Sequence, residues 1–256
     1  MPISNYHRIA FIHIPKNAGK SLETAFQIAT SQDHRSRHQT RNVVARALRK
    51  VSYLFDHPSL RNAGFGSGAV NVALQHLTFI EMNYAFQIPN DYLWVSSIRN
   101  PYTRIDSLYR HHGIKNGEDS ETFEQFVRRF LNGGGLTNLS HDAIAHRRLQ
   151  VHFLEGLSGH LDPEIELMEY ESLNQSFHSF CHKNSMDLEL SWHEKQIGNY
   201  TSVERPFLHW NASILRQVNE YYRHDFEELG YQLLGLDQLK DIDHIVDSPS
   251  LRRTQQ

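Results

Sequence analysis

Residues Pro15 to Ser21, PKNAGKS, follow the short apolar run RIAFIHI (8–14) and precede a helical pattern. Such a loop offers unpaired backbone N–H groups and the positive end of a helix dipole to phosphate-like oxygens. Its candidate ligands are Lys16, Asn17, Ala18, Gly19, Lys20 and Ser21. A second set lies in RNPYTRIDS (99–107), where Arg99, Arg104 and Ser107 could surround another anion, the last two at i and i+3 on one helix face. His76 is the candidate general base, because histidine accepts a proton near neutral pH without a large shift.

The glycine-lysine-serine ending resembles an ATP-binding loop, but the pattern GxxxxGK[ST] needs glycine at position 14, where this chain has Ile14. The strand that ends in SSIRN also carries Arg99 where a magnesium-holding acid would be expected. Two anion sites without a metal ligand point to a nucleotide with phosphates on both sides of its ribose.

The elements that must position these residues read as strand-to-helix units. Residues 8–14 predict a buried strand, 15–20 a loop and 21–29 a helix. Residues 70–76, after the glycine-rich turn 62–69, predict a second strand ending at His76, followed by a helix with Thr78 and Glu81 in capping-box spacing. Residues 91–99 predict a third strand, and Pro101 suits the first turn of the next helix. The fold class expected is α/β, a P-loop-like doubly wound parallel sheet flanked by helices with a mainly helical C-terminal half. Helices are expected near 121–131, 140–155, 173–184 and 210–229, and a further strand over 164–173. One domain over 1–246 and a disordered tail over 247–256 complete the organisation.

With 256 residues and a net charge of −3, the chain has no general polyanion-binding character, and nucleic acid is not an expected partner. The basic run 35–50 holds six Arg/Lys and no acid, so any anionic acceptor would meet it locally. A single cysteine, Cys181, expected in the core, makes no intramolecular disulfide. A reducing, cytoplasmic setting fits, and no stretch reaches the ~20 apolar residues of a membrane span. Eighteen histidines raise the question of metal, but His34/His38, His111/His112 and HSFCH (178–182) match no ligand pattern, so no metal is expected. Arg147 and Arg148 read as surface charges.

IPKNAGKS and RNPYTRIDSLY resemble the 5'-phosphosulfate loop and the 3'-phosphate motif of sulfotransferases that use 3'-phosphoadenosine 5'-phosphosulfate, most closely the carbohydrate branch. VNEYYRHDFEELGY (218–231) is similar to that branch's terminal helix, so the resemblance touches both ends of the chain. It implies Lys16 on the oxygen bridging phosphate and sulfate, Asn17 to Ser21 around the 5'-phosphate, and Arg99 and Ser107 on the 3'-phosphate. It implies a histidine or glutamate base and a hydroxyl acceptor, here a saccharide. Lys20 departs from the family, which often has threonine there, and leaves open which lysine touches the leaving group. Lys195, Asn199 and Tyr200 fall where the family's cofactor-closing segment could lie. A kinase or NTPase, and a non-catalytic nucleotide- and glycan-binding module, are the alternatives.

Overall fold

In a computed structural model, the described residues are 3–28, 76–112, 121–132, 145–190 and 210–241. The basic run 35–50, the turn 62–69, residues 70–75, the positions Lys195, Asn199 and Tyr200, and the tail 247–256 lie outside them.

Four strands form one sheet in the order β1-β2-β3-β4: Ile3–Ser4, Ile9–Ile12, Leu93–Ile98 and Ile165–Glu169. β1 is an antiparallel edge, whereas β2, β3 and β4 are parallel. Alternation along β2 explains why helices cover both faces. Ile9 and Phe11 pack with Val95 and Met168 against α1 (Gly19–Ala25) and α6 (Leu173–Lys183). Ala10 and Ile12 pack with Trp94 and Ile98 on the other face. There they meet α2 (Phe79–Phe86), α3 (Pro101–His112), α4 (Phe123–Asn132), α7 (Ala212–Tyr221) and α8 (Arg223–Leu229). The short α5 (Val151–Leu154) also belongs to this face.

Three strand-loop-helix units are present, β2–α1, β3–α3 and β4–α6, the last joined by a 3-10 turn at Tyr170–Ser172. Parallel register places Ile12 opposite Ser96 and Ile98 opposite Glu169, so all three connecting loops leave the same sheet edge. That edge is where open α/β sheets bind ligands. The expected capping box of α2 is complete: Thr78 accepts from the Glu81 N–H, and the Glu81 carboxylate accepts from the Thr78 N–H. Cys181 is buried as expected. No helix among the described residues is long and apolar enough to cross a membrane.

Four expectations are corrected. His76 itself lies in a bend rather than in a strand, and the residues expected to form the strand before it lie outside the described residues. The helix predicted over 140–155 is broken in its described part, because the N–H groups of Gln150 and Val151 turn to the carboxylate of Asp225, at 3.1 and 3.0 Å, and α5 starts afresh. The helix predicted over 210–229 bends at the buried Tyr222 (φ −96°, ψ 14°), and α8 brings Asp225 to that cap and Phe226 to the Tyr102 ring. Arg148 is not a surface charge: its side chain is 9% exposed, beside Glu81 and over the Phe153 ring. Arg147 is half-buried, donating to the Leu131 carbonyl.

Candidate functional site

The loop between β2 and α1 holds Lys16 and Ala18 in the left-handed region, with φ of 71° and 61°. Asn17 between them has no positive φ; alternation of right- and left-handed residues is the backbone arrangement whose N–H groups form anion-binding concavities. Each left-handed non-glycine residue costs roughly 1–2 kcal/mol, so neighbouring bonds must hold the loop in place. Asn17 Nδ2 donates to the Ser97 carbonyl at 2.8 Å and to Gln150 Oε1 at 2.7 Å, and the Ser97 hydroxyl donates to the Asn17 carbonyl. Arg99 Nη1 donates to the Lys16 carbonyl at 3.0 Å.

Gln150 is the hub of this network. Its Oε1 also accepts from the Arg99 N–H at 2.9 Å, and its Nε2 donates to the Arg99 carbonyl at 2.8 Å. Asp225 holds Gln150 from behind, wholly buried; burial pushes its carboxyl pKa upward, opposed first by the Arg104 charge and then by the backbone N–H bonds. Asn17 Oδ1 is buried with no hydrogen-bond partner among the described residues.

Arg99 is placed by three elements. Its Nε donates to Thr103 Oγ1, one turn on, its Nη1 holds the loop, and its guanidinium lies 3.9 Å from the centroid of the Tyr170 ring, from the loop after β4. Lys16 and Arg99 are thus brought together. Arg104 is not beside them around an anion: it is fully buried, donating to the carbonyls of Pro15, His146 and Arg148. It acts as a strut beneath the loop, which explains why a guanidinium is tolerated there only with several carbonyl partners. Ser107 is half-buried in α3 and makes no hydrogen bond to Arg99 or Arg104 among the described residues.

The first turn of α1 is set by a close approach. A Cβ on Gly19 would lie 2.0 Å from His13 Nε2, so glycine here makes room for the His13 ring. His13 Nδ1 meets the Glu23 carboxylate at 2.8 Å. The Lys20 residue is exposed and its carbonyl accepts from Thr24 Oγ1. The Ser21 N–H bonds back to the Ala18 carbonyl, leaving the hydroxyl as its contribution to any ligand.

His76 sits over the same strand end, with Nδ1 3.0 Å from the His13 carbonyl and its ring centroid 4.8 Å from that of His13. A carbonyl only accepts, so Nδ1 carries the proton and neutral His76 keeps its lone pair on Nε2.

Sequence reasoning did not single out Ser97, Thr103, Gln150, Tyr170 or Asp225. Thr103 had a local signal, lying at i+4 from Arg99; Gln150 and Asp225 meet across 75 residues and had none. Compared with known proteins, the chain matches no family model, no curated relative and no solved structure.

Proposed function

We propose that the protein is a sulfotransferase moving a sulfuryl group from 3'-phosphoadenosine 5'-phosphosulfate to a hydroxyl, with a saccharide as acceptor and a P-loop-like site. The observation that carries this reading is the 3.0 Å bond from Arg99 to the Lys16 carbonyl, which locks two cationic motifs together at the carboxyl ends of neighbouring parallel strands. The sequence resemblance supplies the identity of the donor.

In this reading the backbone of Asn17 to Lys20 and the Ser21 hydroxyl hold the 5'-phosphate. Arg99 and Ser107 face the 3'-phosphate, and Arg104 supports the loop through Pro15. Lys16 stabilises the charge that grows on the bridging oxygen as the S–O bond to phosphate breaks, an interaction stronger in the transition state than in the ground state. As the new S–O bond forms, the acceptor hydroxyl gives its proton to His76 Nε2, and the His13 carbonyl fixes the ring tautomer. A sulfuryl group carries less charge than a phosphoryl group, so a metal is not obligatory for its transfer.

A triphosphate-binding reading draws on Gly19-Lys20-Ser21. In the structure, however, Gly19 is required by the His13 ring, which accounts for the glycine without a phosphate. The test is mass-spectrometric screening of hydroxylated glycans, lipids and small molecules, with the sulfuryl donor present, for one added sulfuryl group. Addition that disappears in Lys16→Ala supports the proposal. No addition, with phosphorylation from ATP and Mg²⁺ instead, refutes it, and nucleotide binding without any transfer assigns a binding module.

A further inference from the structure

We infer that His111, His112 and His146 form a binding site for a divalent transition-metal ion of the zinc class, next to the proposed base, since the His146 ring centroid lies 5.5 Å from that of His76. One ligand nitrogen from each lies within 4.8 Å of the others. His112 Nε2 and His146 Nδ1 are already 2.7 Å apart. Nitrogens bound at 2.0–2.1 Å to a tetrahedral ion sit about 3.3 Å from one another. Entry of the ion therefore widens the close pair by about 0.6 Å and draws the third nitrogen in by up to about 1.5 Å, within the reach of side-chain rotation. The ion takes the place of the proton shared by His112 and His146, because a metal ligand must be a deprotonated nitrogen.

The scaffold holds two of the three ligands in place. His146 is 6% exposed, and its carbonyl accepts from the buried Arg104 at 3.2 Å. The His112 ring stacks on Phe130 with centroids 5.7 Å apart. His111 is exposed, so the trio grades from solvent to interior and gives an ion a way in. Three imidazoles with no carboxylate among them favour zinc, copper, nickel or cobalt over magnesium or calcium, and the fourth position of a tetrahedral site is left for water. The sequence concealed the set because His146 joins from 34 residues away.

The probe is Co²⁺, followed by Zn²⁺ competition, titrated into the full chain and read by visible d–d absorption and calorimetric stoichiometry. Expected is one Co²⁺ per chain with a four- or five-coordinate spectrum, displaced by Zn²⁺, and weakened at least about tenfold in each of His111→Ala, His112→Ala and His146→Ala. The exposed His178→Ala/His182→Ala double variant should leave that binding unchanged. The proposal is overturned by no binding at micromolar Co²⁺, by binding that survives the three single substitutions, or by binding lost only in the double variant. His111→Ala alters an exposed side chain, so its result stands even if His146→Ala does not fold; circular dichroism of each metal-free variant separates the cases.

Discussion

Gln150→Leu removes the side chain that joins the loop between β2 and α1 to the end of β3 while keeping most of its volume. Four hydrogen bonds are lost: two accepted by Oε1, from Asn17 Nδ2 and the Arg99 N–H, and two donated by Nε2, to the Arg99 carbonyl and Asp225. Asn17 Nδ2 retains Ser97, and Asp225 retains the N–H groups of residues 150 and 151. The two main-chain groups of Arg99 are the ones stranded. A buried group left without a partner costs about 1–3 kcal/mol, and Arg99 is only part-buried, so a loss of about 3 kcal/mol is expected. At an m-value of about 3 kcal/mol/M, urea unfolding should shift by about 1 M to lower denaturant. Binding of adenosine 3',5'-bisphosphate should weaken as well, because the loop loses its register with Arg99. A midpoint shift under about 0.3 M would show that Gln150 is not the hub described and would refute the reasoning.

Gly19→Ala should destabilise by about 1–3 kcal/mol, as overpacking against the His13 ring displaces the first turn of α1; thermal unfolding reads it. Lys16→Ala should lower kcat by about 10²-fold or more with far less change in bisphosphate affinity, measured by transfer kinetics beside calorimetry. Burial first, then the charges of Arg148 and His224, push the His152 pKa from 6.5 down to about 4. The folded state thus binds fewer protons than the unfolded chain between these values. The contribution is fully present above pH 6.5 and is lost as the pH falls toward 4, by up to about 3 kcal/mol. In His152→Leu, urea midpoints measured across that range should lose this part of the slope.

Local pattern carried much of the fold. The apolar runs that became β2, β3 and β4, Pro101 at the start of α3, and the Thr78–Glu81 capping box all depend on neighbours within a few residues, which a linear reading sees. The interruption at Gln150 did not show, because Asp225 makes it through a contact 75 residues distant. The site divides the same way. Lys16 and Arg99 stand out by type and spacing. Arg104 has the spacing of a ligand on α3, but its long side chain turns inward to three carbonyls that only the folded chain assembles.

The central claim is that Lys16 and Arg99 serve one doubly phosphorylated adenosine nucleotide without a metal. Calorimetric titration of adenosine 3',5'-bisphosphate in chelator-treated buffer tests it most directly, on the wild-type chain and on Arg99→Ala and Lys16→Ala. Saturable one-to-one binding that falls at least about tenfold in Arg99→Ala is predicted, with no gain from Mg²⁺. Heat released only by ATP together with Mg²⁺, or bisphosphate binding indifferent to Arg99, would contradict it.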